Sequence, residues 1–215
     1  MTKLNELLGA DFDCAHCGRR HKVNLRAVST AADSFKQIPS ILSRHAAGPA
    51  AALLADKRTF KAAGESVSDE LNRAGLRVQQ ILIPDPAPET SPVCDDTTRA
   101  WIEERLEPAD VFVAVGSGVI NDLTKWIAGD RAVPYIAVAT AASMNGYASD
   151  NIAPTINGVK SLLYGIGPVA IVSTPETLAG APKSMTQSGL GDVLAKTVSA
   201  SDWRVNAVLL DEYYC

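Results

Sequence analysis

The chain has 215 residues, 47% hydrophobic and 20% charged, a balance that fits one α/β domain, or one domain and part of another. A formal net charge of −4 argues against a nucleic-acid partner, and no apolar run approaches the roughly 18 residues a membrane span needs. Met1-Thr2-Lys3-Leu4-Asn5-Glu6 lacks the apolar stretch of a signal peptide, so a cytoplasmic location is expected.

In chain order, the first motif is Cys14-Ala15-His16-Cys17 with His21. Cys-x2-Cys followed by a near histidine is half of a zinc site. No second pair follows, and Cys94 and Cys215 stand alone, so a turn with free thiols is the favoured reading. From there apolar runs alternate with helical patterns, which predicts an α/β fold with a Rossmann-like parallel sheet. Residues 51–55 read as a buried strand, followed by helix through 65–74 and a strand over 78–83. Three prolines in 84–89 force a loop, and 95–106 has helical spacing. Val111-Phe112-Val113-Ala114-Val115 is the most β-branched run and should be a central strand. A helix over 120–128 is expected to close at Gly129, with a strand over 135–139 next. Residues 140–150 suit a long loop, and Asn157-Gly158 predicts a hairpin between 152–156 and 159–164. A last strand spans 169–172. Thr174-Pro175 then caps and opens a helix, and 188 onward reads mostly as helix.

The chemistry centres on Gly116-Ser117-Gly118-Val119-Ile120-Asn121-Asp122, where Gly-x-Gly separates a strand from a helix. A helix N-terminus offers unpaired N–H groups and a positive dipole end, and glycine lets a pyrophosphate approach. The third glycine of the dinucleotide fingerprint is replaced by Asn121, and the usual ribose acid about 20 residues on is missing. The ordinary Rossmann dehydrogenase is therefore disfavoured, and a tight turn without a ligand is the plain alternative. Asp122 falls in the first helical turn, where a carboxylate stabilises a helix with or without a cofactor. Asp56, at the end of its strand, can accept from ribose hydroxyls. Lys57 and Arg58 beside it suit a phosphate instead, so NAD and NADP both stay open.

Several segments together resemble the sn-glycerol-1-phosphate dehydrogenase family, within the iron-containing alcohol dehydrogenase and dehydroquinate synthase superfamily. They are the Gly116–Asp122 stretch, Thr140-Ala141-Ala142-Ser143-Met144-Asn145-Gly146-Tyr147-Ala148-Ser149, Ala181-Pro182-Lys183-Ser184-Met185 and Gly189-Leu190-Gly191-Asp192-Val193-Leu194-Ala195-Lys196. Asp202-Trp203, Glu212-Tyr213-Tyr214-Cys215 and the N-terminal Cys-x2-Cys-Gly-x2-His region extend the likeness over nearly the whole chain. The resemblance implies a dinucleotide domain over 1–173 and the beginning of a helical, metal-binding domain over 174–215. It implies reduction of dihydroxyacetone phosphate to sn-glycerol 1-phosphate with NAD(P)H and a divalent metal, Zn²⁺ or Ni²⁺. Asp192 would be the first metal ligand, where an open metal position polarises the ketone. Without the family, Asp192 reads as a helix-start carboxylate paired with Lys196.

The resemblance further puts Thr140, Ser143 and Ser149, with Gly116, Ser117, Gly118, Val119 and Ile120, near the cofactor. Position 145 meets the substrate and is usually Asp; here it is Asn145. Lys160 is a candidate for the substrate phosphate, or a solvated hairpin lysine. The family's metal-binding histidines lie further along, whereas the three histidines here all precede residue 46. The expectation is therefore an N-terminal fragment, inactive alone, of an enzyme acting on a small phosphorylated ketone or polyol, with a homo-oligomer possible. Two alternatives are a dehydroquinate-synthase-like lyase and a non-catalytic nucleotide-binding module.

Overall fold

A computed structural model describes residues 2–215, with side chains from Asn5 onward. The chain begins with α1 (Thr2–Leu7), the hairpin strands β1 (Asp11–Asp13) and β2 (Arg20–Lys22), then β3 (Ala27–Ser29) and α2 (Ser34–Leu42). Next come β4 (Ala50–Asp56), α3 (Lys57–Thr59), a π-helical turn (Phe60–Gly64), α4 (Glu65–Arg73) and β5 (Arg77–Ile83). They are followed by α5 (Asp96–Glu103), β6 (Val111–Gly116), α6 (Gly118–Arg131) and β7 (Tyr135–Ala139). Four two-residue strands, β8 (Asn151–Ile152), β9 (Thr155–Ile156), β10 (Val159–Lys160) and β11 (Leu163–Tyr164), precede β12 (Ala170–Val172), α7 (Pro175–Ala179) and α8 (Lys183–Leu210).

Six strands form one parallel sheet in the order β3-β12-β7-β6-β4-β5. β6 and β7 are buried at every position, as strands covered on both faces must be, and their sequences are apolar without alternation. Successive side chains enter opposite layers. Ala52, Leu54, Phe112 and Ala114 pack with Leu123 and Ile127 of α6, while Leu53, Val111, Val113 and Val115 pack with Ile38 of α2 and Leu71 of α4. From β4 the chain runs outward to β5, and β6 then starts on the other side of β4. The connections above β4 and β6 therefore diverge, and such a switch point opens a crevice at the carboxyl ends of the strands.

The α/β fold is as expected, and several boundaries differ. α6 does not close at Gly129 but continues to Arg131, ending at Ala132 in the left-handed region. Gly129 is glycine for packing: a Cβ there would stand 3.1 Å from Gly165 Cα. The Asn157-Gly158 turn has positive φ at both residues, 49° and 78°, as a tight two-residue hairpin turn requires. Ile156 pairs with Val159 and Ile152 with Leu163, one register interrupted where Pro154 has no N–H to give. α8 begins at Lys183, before residue 188, so Asp192 lies well inside the helix and is not a helix-start carboxylate. The short strands β1 to β3 and helix α2 were not foreseen; three-residue strands carry too little periodicity to be read. Cys215 does not stand alone either, because its sulfur lies 3.7 Å from that of Cys14.

Candidate functional site

A cleft of about 1020 Å³ opens at the switch point. One wall is the end of β4 and the β6–α6 turn, with Asp56, Ser117, Val119 and Ile120; Thr140 follows β7. The facing wall comes from the α7–α8 region, with Thr174, Thr177, Pro182 and Met185.

The two glycines of the β6–α6 turn have separate tasks. A Cβ on Gly116 would lie 2.6 Å from Ile120 Cβ, so Gly116 lets the first turn of α6 fold tightly onto its strand. A Cβ on Gly118 would meet only Met144 Sδ, at 3.6 Å, so Gly118 keeps the space before the helix open. The Ser117 side chain makes no capping bond, and the first-turn N–H groups of a helix have no partner within it. Asn121, at the third glycine position of the fingerprint, is buried and accepts a bond from the Tyr135 hydroxyl at 3.4 Å.

The 140–150 loop is fastened to this turn by buried polar groups. Thr140 N–H donates to Gly116 O (3.2 Å), and the Tyr147 hydroxyl donates to Ala141 O (2.8 Å) and Gly116 O (3.4 Å). Burial pushes the Tyr147 phenol up to about 12, so it stays a proton donor near neutral pH. Sequence reading missed Lys125. It is fully buried on α6 and donates to Asn151 O (2.8 Å), Asp122 Oδ1 (3.3 Å) and Gly146 O (3.4 Å). The signal in the sequence was the Asp122-x-x-Lys125 spacing, which puts both on one helix face.

The other predicted residues fall in different places. Asp56 lines the cleft, yet its Oδ1 caps the following helix by accepting from Arg58 and Thr59 N–H (2.7 and 2.9 Å). Its Oδ2 meets Arg58, which also pairs with Asp85 at 2.7 Å. Asp122 faces Lys125 and the Ala153 N–H, so its carboxylate serves the loop contact. Ser149 donates to Gly146 O (3.1 Å), and Lys160 donates to Ala153 O on the hairpin without lining the cleft. Asn145 and Asp192, distant in sequence, are brought together: the Asn145 N–H donates to Asp192 Oδ2 at 2.7 Å. The other oxygen of Asp192 lies 3.6 Å from Lys196 Nζ, the i,i+4 pair read from the sequence. Gly189 makes this approach possible, since a Cβ there would stand 2.0 Å from Ala142 O. Among the described residues Asp192 belongs to no group of three or more metal-ligating side chains. One carboxylate does not hold a catalytic metal.

Residues 29–182 match the iron-containing alcohol dehydrogenase family. The chain is 32% identical over 217 residues to a glycerol-1-phosphate dehydrogenase (NAD(P)+) of Geobacillus stearothermophilus, covering 99% of this chain and 52% of that protein. A protein of the same name from Bacillus velezensis is 32% identical over 162 residues, 75% of this chain and 41% of the relative. The crystal structure of a glycerol dehydrogenase from Schizosaccharomyces pombe shares the fold with a TM-score of 0.70 at 20% identity, covering 81% of this chain and 43% of that one. The chain spans about half the length of the curated relatives it matches.

Proposed function

Because the chain belongs to the iron-containing alcohol dehydrogenase family, we propose that its cleft holds NAD or NADP and that the whole protein reduces dihydroxyacetone phosphate to sn-glycerol 1-phosphate. The observation that carries the reading is the cleft itself, which joins a glycine-opened helix start to the strand switch point. The dinucleotide, when bound, supplies the hydride. The first-turn N–H groups of α6 donate to its pyrophosphate, with the dipole of a 14-residue helix behind them. Thr140, at the mouth of β7, adds a hydroxyl, and the loop carrying Ser143 and Ser149 closes over the nicotinamide side. Residues 1–173 serve as the dinucleotide domain, and α7 and α8 begin the domain that completes the cleft. Asn145 and Asp192 face the substrate together. An amide in place of a carboxylate at position 145 still hydrogen-bonds hydroxyls but carries no charge to repel a phosphorylated substrate.

The test is NADH binding, followed by nicotinamide fluorescence or calorimetry. Gly118→Val fills the space before α6 and is expected to weaken binding by about tenfold or more while leaving the melting temperature near that of the parent. Unchanged affinity in Gly118→Val sinks the proposed pyrophosphate position. Turnover is read as NADH oxidation by the whole protein with dihydroxyacetone phosphate and a divalent metal. Binding without such oxidation leaves a nucleotide-binding module and removes the substrate assignment.

A further inference from the structure

Outside the matched family region, four metal-ligating side chains converge: Cys14, Cys17 and His21 on the N-terminal hairpin and Cys215 beyond α8. One ligand atom from each lies within 4.8 Å of all the others. The Cys14–Cys215 sulfurs are 3.7 Å apart, Cys215 Sγ is 3.7 Å from His21 Nε2, and Cys17 Sγ is 3.1 Å from His21 Nε2. Zinc bonds of about 2.3 Å to sulfur and about 2.0 Å to nitrogen, at tetrahedral angles, set edges of about 3.8 Å between sulfurs and about 3.5 Å between sulfur and nitrogen. Three of the six edges therefore lie within about 0.4 Å of those of a zinc tetrahedron, and the other three are no longer than 4.8 Å. The Cys14–Cys215 distance is also far too long for a disulfide, and all the cysteines are free.

Local structure supports the same reading. Cys14 N–H donates to Arg19 O (2.9 Å) and Gly18 N–H to Cys14 O (2.8 Å), with Gly18 at φ +68°. This tight turn closes the β1–β2 hairpin and holds both of its sulfurs close to His21 Nε2 and Cys215 Sγ. The hairpin has no core of its own: β1 is exposed throughout, and no residue from Asn5 to Ser29 is buried. So small a unit needs a staple. On the other side, the chain leaves α8 through Asp211 in the left-handed region and turns back. Trp203 Nε1 donates to Tyr213 O, Arg19 lies 3.7 Å above the Tyr213 ring, and the Tyr213 hydroxyl donates to Cys17 Sγ at 3.3 Å. An outer-shell donor to a ligating sulfur is what orients such sites.

We infer that Cys14, Cys17, His21 and Cys215 form a closed Cys3His structural zinc site that fastens the segment following α8 to the N-terminal hairpin. Three thiolates and one imidazole select zinc among abundant divalent ions, and four protein ligands leave no open position for chemistry. On binding, three thiol protons pass to solvent, so affinity falls as pH drops. The site contains neither Asp192 nor any cleft residue, so it stands or falls independently of the proposed reductase.

The experiment is replacement of zinc by cobalt in the protein purified under reducing, anaerobic conditions. Expected are one equivalent of zinc per chain at this site and, with Co²⁺, the intense thiolate-to-metal charge-transfer and tetrahedral d–d absorption of a three-sulfur site. Cys215→Ser should lose at least one thiolate's share of the charge-transfer intensity while the far-ultraviolet circular dichroism of the parent persists, which shows that the variant is folded. Tyr213→Phe should keep the spectrum and weaken zinc affinity about tenfold. Cobalt bound without thiolate charge transfer would overturn the site, as would an unchanged spectrum in Cys215→Ser. A Cys14–Cys215 disulfide in the reduced preparation would also overturn it.

Discussion

Gly116 and Gly118 look alike in the sequence and differ in what surrounds them. The first is glycine because Ile120 occupies the space of a side chain, whereas at the second a side chain would meet only Met144 Sδ at 3.6 Å. Lys125 is the reverse case, a residue that reads as a surface lysine and is fully buried. Its ammonium ends among two carbonyls and the Asp122 carboxylate, so it holds the 140–152 segment against α6. Lys125→Met keeps the length of the stem and removes every one of those bonds. The expected cost is about 3 kcal/mol, read by urea unfolding, at the low end for a broken buried pair because Asp122 retains some access to water. A variant as stable as the parent would mean that the ammonium's contacts are balanced by its desolvation. NADH affinity should fall as well, since the loop beside the cleft loses its anchor.

At the scale of elements, α8 approaches the 140–149 loop most closely at one small residue, its one buried position. Gly189 lies against the Ala142 carbonyl, whereas nothing lies within 4 Å of where a Cβ on Gly191 would be. Gly189→Ala must push α8 off the loop, because the obstacle is backbone. It should cost about 1–3 kcal/mol and break the Asn145–Asp192 bond. Gly191→Ala should instead stabilise α8 by up to about 1 kcal/mol through helix propensity. Equal effects of the two substitutions in thermal unfolding would contradict this docking. The Asn157-Gly158 hairpin is held differently, by the Asn157 N–H on Asp96 Oδ2 (2.9 Å) and the Thr155 N–H on Cys94 O (2.8 Å). The hairpin's register depends on its turn, and its strands are exposed or half-buried.

Across the whole molecule, stability should be distributed unevenly. β4, β6 and β7 lie in the middle of the sheet with packed layers on both faces, whereas α8 has one buried residue, Gly189, and exposes Leu190, Val193, Leu194, Val198 and Val208. Hydrogen exchange followed by mass spectrometry is expected to be slowest in the three strands and much faster along 190–210. Protection of α8 equal to that of β6 at low protein concentration would refute this order. Protection that grows with concentration would identify self-association through the exposed apolar row. No helix among the described residues is long and apolar enough to cross a membrane.

The sequence by itself pointed to the parallel sheet, because unbroken β-branched apolar runs such as 111–115 fit strands covered on both faces. It also placed a Gly-x-Gly turn between a strand and a helix, expected from residue 120 where the structure starts it at Gly118, and, through family likeness, the segments 140–149 and 189–196, which the structure packs against each other. These are local patterns, and local patterns survive in one dimension. Only the tertiary structure decided which residues meet across long separations. It brought Asn145 to Asp192, buried Lys125 under a loop that follows it, and set Cys215 beside hairpin residues that lie 194 to 201 positions earlier. Spacing along a chain fixes ligands three or four residues apart on one turn. It says nothing of a fourth ligand that arrives only after a whole sheet and a long helix have been folded between them.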